Sequence, residues 1–152
     1  MPQDHKQEYD FSQITDQIFL GSNLCCEEHG YNDFLKKLGV EAEIDLDDKR
    51  WMGVPNLLYF LWLKVPDKKA PSQSQLSAGV AFLDSLVKSN IKVFVHCLYG
   101  HGRSPTLVSA YLISKGSSVK RAVERVKEAR PEIHLEKEQL EALKKYELSL
   151  KD

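Results

Sequence analysis

The stretch Ile91-Lys92-Val93-Phe94-Val95-His96-Cys97-Leu98-Tyr99-Gly100-His101-Gly102-Arg103-Ser104-Pro105 decides how this chain is read. Its first half is a short apolar run rich in β-branched residues, the signature of a buried strand. It closes on Ser104-Pro105 ahead of the apolar run Thr106 to Ile113, and proline is favoured in the first turn of a helix. Between strand and helix lies a turn with two glycines, a thiol at its start and a guanidinium at its end. Loop N–H groups converging on one point, with a helix dipole behind them, make an anion site. This one also carries a nucleophile, so phosphate ester chemistry is the first hypothesis.

The rest of the chain supplies a frame for that loop. Met1 to Asp10 is polar and reads as a loosely held tail, with the domain running over 11–152. Phe11 to Leu20 reads as one or two short strands stopped by Gly21-Ser22-Asn23. Glu27 to Leu38 places Tyr31, Phe34, Leu35 and Leu38 on one face and predicts an amphipathic helix closed by Gly39. Val40 to Leu46 alternates apolar and acidic residues, so it is a strand. Leu57 to Val65, nearly all apolar, predicts a central strand covered on both faces. Gln75 to Lys88 carries Leu76, Val80, Leu83 and Val87 on one helical stripe. Pro105 to Ser114, apolar almost all round, predicts a buried helix. Ser118 is placed to N-cap a helix that ends before Pro131, and Leu135 to Leu150 predicts the last helix. Strands alternate with helices and then helices accumulate. The reading is a single α/β domain with a mostly parallel central sheet flanked by helices.

The 152 residues suit one domain with a substantial core. A net charge of −1 gives no global attraction for nucleic acid or an anionic membrane. No apolar segment approaches the ~20 residues that span a bilayer, and the N-terminal residues hold no apolar targeting core. Neither nucleic acid nor membrane is an expected partner. Three cysteines make no disulfide framework. Cys25 and Cys26 read as packing residues, with a redox partnership with Cys97 as the rival role. A cytoplasmic monomer is expected.

The spacing from Cys97 to Arg103 has a physical meaning. Wrapped around a phosphate, the N–H groups of Leu98, Tyr99, Gly100, His101, Gly102 and Arg103 converge on its oxygens. Gly100 and Gly102 permit positive φ and close approach. Arg103 forks onto two oxygens, which lysine cannot do. Cys97 then lies beneath the phosphorus, where a thiolate attacks in line and forms a phosphocysteine. His96 faces the other side of the strand, so its expected part is to orient the loop rather than to act as a base. Ser104 can donate its hydroxyl to the Cys97 sulfur when that sulfur leaves. No metal or other cofactor is expected, because the cluster holds only His96, Cys97 and His101 as ligands.

At these residues the chain resembles the cysteine-based protein tyrosine phosphatase superfamily, and most of all its compact dual-specificity branch. The signature His-Cys, five residues, Arg, then Ser or Thr stands here as His96-Cys97-Leu98-Tyr99-Gly100-His101-Gly102-Arg103-Ser104. Ile14-Thr15-Asp16-Gln17-Ile18-Phe19-Leu20-Gly21-Ser22 looks like the family's opening strands, and Arg130-Pro131 with the final helix like its closing segment. The resemblance implies a general acid, an Asp on a loop before the nucleophile. Asp67 in Val65-Pro66-Asp67-Lys68-Lys69 matches it and follows the end of a predicted strand, where α/β sheets carry their sites. It can protonate the leaving oxygen and later deprotonate water. Asp45, Asp47 and Asp48 are rivals that read as a surface cluster. Gln139 matches the Gln with which some members position the hydrolytic water. An exposed helix position is the equal alternative.

Leu98, Tyr99 and His101 are the loop's variable positions. Only His101 among them carries charge, and Lys64, Lys68 and Lys69 can make the rim positive. The expected substrate is a phosphorylated protein or peptide, with phosphotyrosine first and phosphoserine or phosphothreonine beside it. The rival readings are a phosphatase for an inositol lipid, an RNA 5′-phosphate end or a phosphosugar, a silent phosphate-binding module, and a rhodanese-like sulfurtransferase.

Overall fold

The computed structural model describes residues 10–22, 31–50 and 56–151. The readings of the 1–9 tail, of Cys25 and Cys26 and of the helix residues before Tyr31 lie outside the described residues. The elements run β1 (Phe11–Gln13), β2 (Ile18–Ser22), α1 (Tyr31–Leu38), β3 (Val40–Asp45), β4 (Tyr59–Trp62), α2 (Gln73–Lys88), β5 (Lys92–Cys97), α3 (Arg103–Ser114), α4 (Val119–Ala129) and α5 (Lys137–Ser149). Among the described residues the sheet has the order β1-β2-β5-β3-β4. Every pairing is parallel except β1 with β2. This is the predicted α/β architecture.

Period-two alternation sorts the central strands onto two layers. Ile18, Leu20, Ala42, Ile44, Val93 and Val95 face the larger core, under α2, α3, α4 and α5. Phe19 and Phe94 face a smaller cluster closed by Phe34 and Leu35 of α1, and Val40 joins it because the register shifts between Val40 and Ala42. β5 runs between β2 and β3, so it is buried from Val93 to Cys97. α3, which follows it, is buried from Arg103 to Ile113, as its all-round apolar sequence requires. Strand and helix give the loop between them two immobile ends.

Two caps, Ser118 and Gly39, stand where the sequence put them, and a third, Ser72, lies in what read as a loop. Ser72 accepts from the Gln75 N–H and completes a capping box, which starts α2 two residues before its apolar stripe suggested. Ser118 caps α4 through the Arg121 N–H. Gly39 takes the positive φ that closes α1.

Three expectations are corrected. Leu57 to Val65 does not form a central strand: among the described residues β4 is the sheet's edge and pairs only with β3. Its aromatic residues are only partly covered, in part by polar side chains; the Arg50 guanidinium lies 4.5 Å from the Phe60 ring centroid. Leu61 of the strand packs partly buried against the core, and the buried residues of this segment, Leu63 and Val65, come after it. Gly21 and Ser22 do not stop β2 but belong to it, pairing with His96 and Cys97. Asp10, assigned by sequence to the tail, is bonded into the structure through its carbonyl, which accepts from the Ser22 N–H.

Candidate active site

Cys97 ends β5, and Leu98 to Gly102 turn away from it into the first residue of α3, Arg103. Gly100 takes φ +71°, the left-handed region its lack of a side chain allows. The Gly102 carbonyl is tied to the helix by the Thr106 N–H at 2.9 Å and the Thr106 hydroxyl at 2.7 Å. Cys97 is 2% exposed. Its Sγ lies 3.1 Å from the Ser104 hydroxyl and receives the Gly100 N–H at 3.3 Å. The expected thiol–hydroxyl contact is therefore present. The sulfur thus sits between a backbone N–H and a hydroxyl at the N-terminus of α3.

Arg103 is buried, yet it reaches across the site. Its Nη1 donates to the Val65 carbonyl at 2.7 Å and to Asp47 Oδ1 at 3.1 Å. Its Nη2 lies 3.6 Å from Asp67 Oδ1. Asp67 is thus brought to the mouth of the loop from the segment after β4, more than half exposed and anchored by the Lys68 N–H. Lys68 itself has φ +65°. The surface cluster expected at Asp45, Asp47 and Asp48 is not one. Asp45 and Asp47 are buried, and only Asp48 is half-exposed, 3.7 Å from Arg103. Asp47 orients the guanidinium, a role its place in the sequence did not announce.

Behind Cys97, on the opposite face of β5, His96 meets β3. His96 Nε2 donates to Glu43 Oε1 at 2.6 Å, and Nδ1 lies 3.8 Å from Asp45 Oδ1. Phe94 stacks on its ring at 5.4 Å. Arg50 pairs with Glu43 at 3.3 Å and Asp45 at 2.8 Å. Burial opposes a charged imidazole, but the two carboxylates outweigh it and hold the His96 pKa above its ordinary value. Burial pushes the Asp45 carboxyl up, with His96 and Arg50 opposing. His96 therefore supports the end of β5 from beneath, as its orientation suggested. The acidic alternation of β3 was the visible trace of its partners.

A second buried arginine stands at the back of the loop. Arg130 Nε donates to the Gly100 carbonyl at 2.9 Å and its Nη2 to the Tyr99 carbonyl at 3.1 Å. Asp10 takes both terminal nitrogens, at 2.9 and 2.8 Å. Sequence reasoning singled out Arg130-Pro131 only as part of a closing segment. Gln139 is 1% exposed, not an exposed helix residue. Its Oε1 accepts from the Glu136 N–H and its Nε2 donates to the Lys69 carbonyl, tying α5 to the Asp67 segment. A Cβ on Gly102 would come within 2.9 Å of both of its amide atoms.

Over the loop lies a cavity of about 190 Å³ lined by Asp67, Lys68, Tyr99, His101, Gly102, His134, Glu136 and Gln139. Tyr99 and His101 stack at 6.0 Å and 27° on its rim. Of the predicted rim lysines only Lys68 lines it; Lys69 pairs with Glu138 at 3.7 Å, and Lys64 sits 5.3 Å from the Trp62 ring.

A buried thiol at a helix N-terminus, a guanidinium at the far end of the same loop and a carboxylate across the mouth define an α/β site of the cysteine-phosphatase kind. The family model "Dual specificity phosphatase, catalytic domain" matches residues 18–149, and the chain belongs to that family. Phosphatidylglycerophosphate phosphatase PTPMT2 of Arabidopsis thaliana is 33% identical over 120 residues, 74% of this chain and 53% of that protein. Dual specificity protein phosphatase 5 of Rattus norvegicus is 31% identical over 100 residues, 64% of this chain and 26% of that protein. The matched region is thus about half of the first relative and a quarter of the second. The crystal structure of PTPMT1 in complex with PI(5)P shares the fold, with a TM-score of 0.83 at 24% identity over 93% of this chain and 96% of that one.

Proposed function

We propose that the protein hydrolyses phosphate monoesters through a phosphocysteine on Cys97, with phosphotyrosine in proteins as its first substrate and phosphoserine and phosphothreonine beside it. The observation that carries the reading is the alignment of three groups around one cradle. Cys97 opens the loop, Arg103 closes it, and Asp67 stands 3.6 Å from Arg103 across the site. Arg103 Nη1 is engaged with Asp47 and Val65, which turns the Nε and Nη2 edge of the fork towards the phosphate oxygens.

The thiolate attacks phosphorus in line as the bond from phosphorus to the ester oxygen breaks. Asp67 gives its proton to that departing oxygen. Asp67 then takes a proton from water, the water oxygen attacks phosphorus, and the P–S bond breaks. The Ser104 hydroxyl, 3.1 Å from the sulfur, supports the sulfur as charge returns to it. Gln139, packed on Gly102 at the edge of the cavity, is the amide placed to hold that water.

The stacked Tyr99 and His101 favour an aryl ester, since a flat aromatic wall suits a ring. No lysine or arginine stands between Cys97 and Arg103 to recruit a polyanionic headgroup. A phospholipid substrate is the second reading, supported by the names of the relatives PTPMT2 and PTPMT1 and by Lys68 at the mouth. Steady-state kinetics on phosphotyrosyl and phosphoseryl peptides, phosphatidylglycerophosphate, phosphoinositides and nucleotide 5′-phosphates separate the two. The highest kcat/KM is expected for phosphotyrosyl peptides. A higher value for any lipid would replace the protein reading.

A further inference from the structure

We propose that Arg130 is the positioning residue that aims the N–H groups of the phosphate loop, and that Asp10 holds it in place. The inference rests on the phosphatase reading of that loop. A trans peptide is planar, with its C=O and its N–H pointing in opposite directions. Arg130 draws the Tyr99 carbonyl to the back of the loop at 3.1 Å. The N–H of that same peptide belongs to Gly100, so it must point forward, and it meets the Cys97 sulfur at 3.3 Å. Arg130 also draws back the Gly100 carbonyl at 2.9 Å. The N–H of that peptide belongs to His101 and must point into the cradle. One guanidinium thereby sets two of the loop's donors.

This bracing is needed because of the residue it braces. Gly100, at φ +71°, has no side chain to restrict the peptides on either side of it. A flipped peptide would present an oxygen to the phosphate where an N–H should be. A buried carbonyl without a partner is costly, so the orientation that Arg130 satisfies wins.

The brace is itself clamped. Asp10 takes Arg130 in a two-pronged pair at 2.9 and 2.8 Å, and the Ser12 hydroxyl accepts at 3.3 Å. Glu132 adds a longer contact at 3.7 Å. The Arg130 guanidinium holds the Asp10 carboxyl below its usual range. The packing leaves no slack. A Cβ on Gly100 would sit 2.6 Å from the Gly21 carbonyl and 2.8 Å from Arg130 Nη2, and one on Gly21 would sit 2.3 Å from the Asp10 carbonyl. The backbone before β1, the end of β2 and the phosphate loop are stacked on one another with Arg130 as the tie.

The test reads anion binding rather than turnover. Vanadate affinity is measured on Arg130→Met and Asp10→Asn. The rate of Cys97 alkylation by iodoacetate is compared with that by iodoacetamide, with the modified cysteine identified by mass. Loss of fold slows or speeds both reagents, whereas loss of the cradle penalises only the anion. Arg130→Met is expected to weaken vanadate about tenfold and to lower the iodoacetate to iodoacetamide ratio by a similar factor. Asp10→Asn, whose side chain is partly exposed, should do the same by about threefold without threatening the fold. Folded variants with wild-type vanadate affinity and ratio would overturn the proposal. If Arg130→Met does not fold, Asp10→Asn decides alone by the same criterion. A wild-type protein that binds vanadate but hydrolyses no phosphate ester would sink the proposed function, while the variants would still decide the role of Arg130.

Discussion

Arg103 and Arg130 are both buried, at 2% and 0% exposure, and both meet the same turn. They meet it from different sides and with different chemistry. Arg103 begins α3, is held by Asp47 and the Val65 carbonyl, and faces the cradle. Arg130 ends α4, is held by Asp10, and addresses only the loop's carbonyls among the loop atoms. In the proposed reading one guanidinium serves the ligand and the other is spent on the backbone. A phosphate loop needs both kinds of support. Its inner surface must present donors, and its outer surface must satisfy the acceptors that the same peptides turn outward.

That contrast can be broken most severely at the floor of the site. Cys97→Ser is expected to abolish turnover of p-nitrophenyl phosphate while phosphoanion binding persists, measured by calorimetry with phosphate. Hydrolysis at the wild-type rate would remove the reason for treating the inner side of the loop as the reacting side. Arg103→Lys keeps the charge and loses the fork. Its kcat/KM should fall about 1,000-fold, because transition-state oxygens lose paired, preorganised donors. A loss below about tenfold would place Arg103 with Arg130 as a brace.

Asp67→Asn is expected to lower kcat about 100-fold on phosphotyrosyl peptides and to remove the high-pH limb of the rate profile. An unchanged profile would move the proton transfer elsewhere. The smallest effect concerns the support behind β5. The folded-state pKa of His96 lies above the ordinary value of about 6.5, because Glu43 and Asp45 outweigh burial. The stability this pair contributes is therefore complete below about pH 6.5 and is lost as pH rises through the folded-state value. Glu43→Gln should lower the urea midpoint at pH 6 and flatten the decline between pH 6 and 9, a cost of about 1–3 kcal/mol at the lower pH. An undiminished pH dependence would remove Glu43 as the group that holds the imidazolium.

The legible part of the site was the part written contiguously. His96 to Ser104 places a thiol, a turn, a guanidinium and a hydroxyl within one strand–loop–helix passage, where spacing alone fixes which groups share a cradle. The place of Asp67 beside Arg103 was anticipated from the family resemblance and from its position after the β4 segment, although β4 itself was misplaced. An apolar run reports that side chains want cover, not how many neighbours the strand will have. Asp45 and Asp47 were misread for a related reason. Acidic residues near a strand end look solvated until His96 and Arg103 arrive from elsewhere in the chain and nearby Arg50 turns back onto Asp45. Gln139 was ambiguous because helix periodicity does not say whether a neighbouring loop will close over a polar position.

By itself the sequence determined the α/β class, the two buried ends of the loop and the thiol and guanidinium, Cys97 and Arg103, that bracket it. These depend on local periodicity and on spacing within a few turns of chain. Tertiary structure decided which distant residues complete the site. The Asp10–Arg130 tie spans 120 positions and the Asp47–Arg103 contact 56, and no local pattern encodes such pairs. They exist because buried carbonyls and buried charges must find partners, and only the folded chain brings those partners within reach.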